Sequence, residues 1–266
     1  MKRRAPASRT PPDGHAMTQI AAFACLLAFS APVLAEDVNV FAAVSLTDAL
    51  KEMAPAYEKV TGDRLVFNLG GSNMLARLIR EGAPADVFLS ADDAQMDGLE
   101  KAGLLVPGSR HALLSNTLVI VVASEGGAKV ASPRDLLSLR SLALAEPKSV
   151  PAGVYAKQVL EKLGLWEALA PRVIPTENVR ACLAAVEAGN ADAGFVYRTD
   201  ALISKKVRIA WTVPAADSPD ISYPVAVLKD APHAEAAKRF AAYLASGPAR
   251  AAFVRYGFVV RDGAAR

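Results

Sequence analysis

Histidine and cysteine are scarce in this chain, and each shortage removes a class of chemistry. Of its three histidines, only His111 and His233 lie beyond residue 35. They are far apart in unrelated contexts, so no pair of His or Cys ligands at metal-binding spacing is visible. Of the two cysteines, Cys25 falls in an N-terminal apolar run and lacks the small-residue setting of a lipidation site. That leaves Cys182 without an internal partner, so stability must come from the core rather than a disulfide. Cys182 itself reads as a small buried side chain on a helix. Phosphate loops ending in Gly-Lys-Ser/Thr and Gly-x-Gly-x-x-Gly turns are absent. Gly70-Gly71-Ser72-Asn73-Met74 has the outline of a nucleophile elbow but not its closing glycine. The acidic pair Asp92-Asp93 reads as a solvated helix start rather than a cation site. No catalytic constellation emerges.

Charge is short as well, once its location is considered. Lys2, Arg3, Arg4 and Arg9 against Asp13 account for the whole formal charge of +3. The segment from Glu36 onward is therefore neutral, with no overall basic field for a polyphosphate, which argues against nucleic acid. The basic start precedes an apolar run, Ile20–Phe29, and then Ser30-Ala31-Pro32-Val33-Leu34-Ala35. This is the pattern of a secretory signal, residues 1–35, cleaved near Ala35, with Met17 an alternative start. The apolar run is too short to span a bilayer comfortably, and no later segment is long and apolar enough to do so.

What the chain does have is alternation. Hydrophobic residues make up 52% and aromatics 6% of its 266 residues, which suits a soluble α/β protein with an ample core. Strands are expected at Val38–Ala43, Arg64–Asn68, Asp86–Leu89, Leu118–Ala123, Leu142–Ala145, Ala193–Tyr197, Val207–Val213 and Tyr223–Leu228. Helices are expected from about Leu46 to Gly62, interrupted or kinked at Pro55, and near Met74–Glu81, Pro133–Leu137, Ala152–Leu163, Val179–Ala188 and Ala234–Ala245. Such alternation argues for mostly parallel sheets flanked by helices. Composition leaves one domain or two open; the two-lobe reading places them at 36–116 with 225–266 and at 117–224, with a ligand between them. Gly126-Gly127 and Ser218-Pro219-Asp220 are loop-like and lie near possible crossings.

Four strand-to-helix turns carry small and hydroxyl residues. Ser45, with Asp48 three residues on, has the form of a capping box. Gly70-Gly71-Ser72-Asn73 combines close backbone approach with a hydroxyl at a helix start. Val150-Pro151-Ala152-Gly153 places proline in the first turn and exposes the amides after it. Thr176-Glu177-Asn178-Val179 is another capped start. Helix N-termini present unpaired N–H groups and partial positive charge, and so favour anions. Each turn alone is more simply a cap, and Tyr197, at a strand end, is alone more simply a packed core residue.

At these residues the chain resembles the periplasmic molybdate-binding proteins of ABC transporters. The matching stretches include Val40-Phe41-Ala42-Ala43-Val44-Ser45-Leu46-Thr47-Asp48-Ala49-Leu50, Gly71-Ser72-Asn73-Met74-Leu75-Ala76-Arg77, Gly82-Ala83-Pro84-Ala85-Asp86-Val87-Phe88 and Ser90-Ala91-Asp92. They continue with Val150–Lys157, Glu177–Arg180, Gly194–Tyr197, Tyr223–Val227 and Arg255–Phe258, in order over the mature chain. The resemblance implies the two-lobed periplasmic binding-protein fold (type II) with a hinged cleft. It implies a molybdate or tungstate ion held by Ser45, Ser72, Ala152, Val179 and Tyr197, with no cofactor and no catalysis. It further implies a monomer in the periplasm that serves a permease of the inner membrane. Gly71 and Asn73 depart from many relatives, which carry further serine or glycine there. Asp48 reads as a cap and Arg180 as surface or hinge chemistry. The rival readings are a binding protein for another tetrahedral oxyanion such as sulfate, a periplasmic sensor or adaptor, and a secreted hydrolase with Ser45 or Ser72 as nucleophile.

Overall fold

The computed structural model describes Met1 and residues 35–261. The expected signal segment, Cys25 within it, therefore lies outside the described residues, apart from Met1 and Ala35. From Ala35 the chain builds β1 (Asp37–Ala43), α1 (Thr47–Thr61), β2 (Arg64–Gly70), α2 (Ser72–Arg80), β3 (Val87–Leu89), α3 (Asp93–Lys101) and β4 (His111–Ser115). It then continues through β5 (Leu118–Ala123), β6 (Leu142–Ala145), α4 (Pro151–Lys162), α5 (Trp166–Leu169), β7 (Val173–Thr176) and α6 (Val179–Glu187). There follow β8 (Ala193–Tyr197), α7 (Arg198–Leu202), β9 (Val207–Thr212), β10 (Tyr223–Val227), α8 (Ala234–Leu244), α9 (Gly247–Arg255) and β11 (Val259–Val260).

The described strands form two sheets, ordered β11-β4-β10-β3-β1-β2 and β7-β6-β8-β5-β9. The chain passes from the first to the second between Ser115 and Leu118, and returns between Thr212 and Tyr223. The two-lobed α/β architecture is as expected, but each sheet is mixed rather than mostly parallel. Strand β1 runs parallel to β2 and β3, whereas β10 is antiparallel to β3 and β4. Likewise β6 is parallel to β7 and β8, and β5 is antiparallel to β8 and β9. Apart from β11, which is antiparallel to β4, the reversed strands are β5 and β10, each the first strand after a crossing, where no helical return on the same sheet is made.

Register sets the position of the turns. Ala43 stands opposite Gly70, so β1 and β2 end level and their following turns lie side by side. Ala145 stands opposite Thr176 in the same way, which brings the starts of α4 and α6 together. The carboxyl ends of parallel strands are where open α/β sheets gather ligands. The central strands β5 and β8 are buried almost throughout, as their apolar runs Leu-Val-Ile-Val-Val and Ala-Gly-Phe-Val-Tyr require.

Several expectations need correction. Helix α1 runs unbroken through Pro55, because Pro55 lies on the solvent face, where water can serve the carbonyl that its missing N–H leaves free. Gly126-Gly127 sits beyond β5 inside the second lobe, not at a crossing; Ser218-Pro219-Asp220 does lie in the return crossing. Strands β4, β7 and β11 and helices α5, α7 and α9 carry short or weakly periodic patterns and were not expected. Cys182 is free, fully buried on α6, and directs its thiol to the carbonyls of Ala143 and Phe195 at 3.2 and 3.3 Å.

Helix α4 can start where it does because Gly153 has no side chain. A Cβ there would stand 1.9 Å from the carbonyl oxygen of Ala145. Gly153→Ala is expected to destabilise the protein by about 1–3 kcal/mol, the usual range for overpacking against an immovable neighbour. Thermal unfolding should show a fall of roughly 2–4 °C per kcal/mol lost; an unchanged midpoint would contradict the close packing.

Candidate functional site

The level strand ends create a small cavity between the two sheets. Its wall includes Ala43, Val44 and Ser45 after β1, Gly70, Gly71 and Ser72 after β2, and Ala91 after β3. From the other lobe come Val150, Pro151 and Ala152 at the start of α4, Asn178 and Val179 at the start of α6, and Tyr197 at the end of β8. The structure thus brings Ser45, Ser72, Ala152, Val179 and Tyr197 together around one space. No Asp, Glu, Lys or Arg lines it.

The wall is rich in donors. Pro151, Ala152 and Gly153 open α4 without a side-chain cap, and the first amide bonded back into the helix is that of Val154, to Val150. The amides of Ala152 and Gly153 are therefore left without a partner in their own helix. At α6 the Asn178 side chain accepts from the amides of Arg180 and Ala181 at 3.0 Å each, which leaves the Val179 amide uncapped. Ser72 begins α2, and its Oγ accepts the Ala91 amide at 2.9 Å. Tyr197 is 1% exposed and its hydroxyl has no hydrogen-bond partner among the described residues. Burial drives the Tyr197 hydroxyl well above its ordinary pKa, so it stays protonated and remains a donor. A buried hydroxyl left unpaired costs about 1–3 kcal/mol, and an acceptor brought into the cavity would remove that cost.

Ser45 does not cap α1 as the capping-box pattern suggested. A short 3-10 turn, Val44–Leu46, intervenes, and the helix N-cap is Leu46 with no side-chain bond. The turn directs Ser45 Oγ instead to the hydroxyl of Tyr223 at 3.0 Å. Asp48 is not a cap either. Its carboxylate takes Nη2 of Arg180 at 2.7 Å, while Arg180 Nε meets the fully buried Asp200. Arg180 thus ties α1 of the first lobe to α6 and α7 of the second. Asn73 Nδ2 adds a second bridge to Ser149 Oγ at 3.2 Å. Asp92 does cap its helix, accepting the Gln95 amide at 3.0 Å, but it is 7% exposed rather than solvated, and burial raises its pKa. Among the described residues no group of His, Cys, Asp and Glu is placed to hold a metal ion. His111 reaches the carbonyl of Ser109, His233 reaches Asp86, and neither lines the cavity. Tyr223 and Ala91 lie in stretches that carry the family resemblance, but nothing in the sequence ties them, or Asn116, to the two serines, because these neighbours in space are remote in the chain.

Comparison with known proteins follows this geometry. The model for the family described as bacterial extracellular solute-binding proteins matches residues 38–259. The molybdate-binding protein ModA of Escherichia coli K12 is 40% identical over 230 residues, 84% of this chain and 89% of that protein. The chain belongs to the molybdate-binding family of bacterial extracellular solute-binding proteins. Among solved structures, the periplasmic molybdate-binding protein of Azotobacter vinelandii matches this solute-binding protein with a TM-score of 0.76 at 26% identity. The match covers 85% of this chain and all of the other. The sulfate-binding protein SubI of Mycobacterium tuberculosis matches at 0.73 with 17% identity over 85% of this chain and 88% of its own. That second likeness extends to the fold alone.

In this solute-binding protein the Arg180 bridge also has a pH signature. Burial pushes the Asp200 carboxyl up to about 6 against the opposing pull of Arg180. Arg180→Ala removes that pull, so the folded-state pKa rises further above the unfolded value. The buried, unpaired carboxylate then costs most above its folded pKa and less as pH falls through it and the group protonates. Arg180→Ala is expected to destabilise by about 3–5 kcal/mol at neutral pH. The gap to the parent should narrow at about pH 5. Melts at both pH values check it; an equal gap at both would place the loss in packing alone.

Proposed function

We propose that this chain binds molybdate, and tungstate with it, in the periplasm and delivers it to an ABC importer. The observation that carries the reading is the buried, unpartnered hydroxyl of Tyr197, facing an uncharged cavity walled by serines and helix starts. A fully deprotonated tetrahedral dianion offers only acceptors, so donors on all sides complement it. Three helix starts, those of α2, α4 and α6, add partial positive charge without the desolvation cost of a full cation. In this reading Ser45 and Ser72 donate through their hydroxyls, Ala152 and Val179 through backbone amides, and Tyr197 through its phenol.

The moving bodies are the lobes read at 36–116 with 225–266 and at 117–224, except that Tyr223 and Pro224 open β10 and so belong to the first lobe. The ion settles on one lobe and the other closes over it, with the Arg180–Asp48 pair made across the cleft on closure. Sulfate has the same charge and shape with shorter bonds, so a cage sized for the larger ion leaves it with stretched hydrogen bonds. Export follows from the N-terminal signal, and release of the ion follows docking to an inner-membrane permease. Hydrolysis is disfavoured because, among the described residues, Ser45 and Ser72 have no base hydrogen-bonded to them; their oxygens face Tyr223 and the Ala91 amide.

Isothermal titration of the mature chain, Glu36–Arg266, tests the reading. Molybdate and tungstate should bind tightly at one ion per chain, with sulfate and phosphate weak or silent. Ser45→Ala and Tyr197→Phe should each weaken molybdate by roughly 10- to 150-fold, the range for a hydrogen bond to a charged group. Tight sulfate binding would overturn the specificity. Unchanged molybdate affinity in both variants would overturn the site.

A further inference from the structure

The two serine hydroxyls share a feature that the anion reading does not require: each has its oxygen occupied from behind. Ser72 Oγ accepts the Ala91 amide. Ser45 Oγ lies 3.0 Å from the Tyr223 hydroxyl, and Tyr223 is 1% exposed on β10. Behind Tyr223 stands Asn116, 6% exposed and located at the crossing between lobes. Its Oδ1 accepts the Thr117 amide at 2.8 Å, which fixes the orientation of the side-chain amide. Its Nδ2 donates to Thr199 Oγ1 at 3.0 Å and to Tyr223 Oη at 3.3 Å.

A direction follows from proton counting. An amide nitrogen only donates, so Tyr223 Oη is the acceptor in that bond. The single Tyr223 proton then has Ser45 Oγ as the acceptor within reach among the described residues. With one lone pair of its oxygen taken by that proton, Ser45 does not spend its own proton on Tyr223 and has it left for the cavity that it lines. We propose that Asn116 and Tyr223 form a directed hydrogen-bond relay that holds Ser45 as a donor, and so make the site select fully deprotonated oxyanions over protonated ones. A serine free to rotate would accept from a protonated anion such as hydrogen phosphate as readily as it donates. Fixed as a donor, it meets that proton with its own, a repulsive element against the wrong ligand. Neither residue touches the ion; both are positioning residues that act through Ser45. The proposal rests on the oxyanion reading above.

The test is a double-mutant cycle, which separates action through Ser45 from general packing. Molybdate and hydrogen phosphate are titrated into the mature parent chain, Ser45→Ala, Tyr223→Phe and the double variant, with thermal melts to confirm folding. Tyr223→Phe should weaken molybdate by roughly tenfold in the parent and by less than about twofold in the Ser45→Ala background. It should also shrink the ratio of molybdate to hydrogen phosphate affinity. Asn116→Asp keeps the acceptor for Thr117 but turns the donor into an acceptor; its loss should likewise be larger with Ser45 present than without, which keeps the test decisive should Tyr223→Phe unfold. Equal losses in both backgrounds, with the affinity ratio unmoved, would overturn the relay while leaving the oxyanion reading intact. A folded parent that binds no molybdate would overturn the oxyanion reading, and the relay with it.

Discussion

A buried donor without an acceptor is the constraint around which the cleft is organised. The Tyr197 hydroxyl is enclosed, protonated and unpaired, and the uncapped amides at the starts of α4 and α6 lie at the same cavity. Folding tolerates such groups only where something else returns the lost hydrogen bonds. Among the groups that line the cavity the deficit is of one kind, donors in want of acceptors, and that asymmetry bears on the chemistry of an occupant. An uncharged wall is the natural counterpart. Dipoles and amides held by the fold need no reorganisation when the ion arrives, whereas a lysine or arginine would have to be desolvated first.

The rest of the structure serves that convergence. Level strand ends, Ala43 opposite Gly70 and Ala145 opposite Thr176, bring two turns together in each lobe. Gly153 lets α4 begin hard against the Ala145 carbonyl. Across the cleft, Arg180 joins Asp48 to Asp200, so an ionic contact between lobes stands outside the cavity wall rather than in it. Behind the wall, Asn116, Tyr223 and Ala91 occupy the serine oxygens. In the proposed reading, closure and donor polarity are handled by separate groups, and the charged pair stands outside the cavity wall.

Much of this was legible in the chain. The strands at Leu118–Ala123, Leu142–Ala145 and Ala193–Tyr197 are long apolar runs with sharp ends, and the structure has them at those bounds. Pro151 and Asn178 announce helix starts by local chemistry alone, and the starts are there. Local chemistry also misled. The Ser45–Asp48 pattern reads as a capping box, but a 3-10 turn and a distant tyrosine took the serine, and a distant arginine took the aspartate. Pro55 reads as a break until it and Lys51, one turn earlier, are seen to be exposed. The relay behind Ser45 joins residues 45, 116 and 223, and no periodicity records a contact between segments so far apart. Tyr197 was ambiguous for the same reason: only the assembled cavity separates a core tyrosine from one whose hydroxyl lacks a partner.

A crystal structure of the mature chain grown with molybdate tests the central claim most directly, with anomalous scattering used to place the metal. The account predicts one molybdenum in the cleft, with oxygens at about 2.7–3.2 Å from Tyr197 Oη, both serine hydroxyls and the amides of Ala152 and Val179. A molybdenum placed elsewhere, or one in the cleft with the Tyr197 hydroxyl still unpaired, would contradict it.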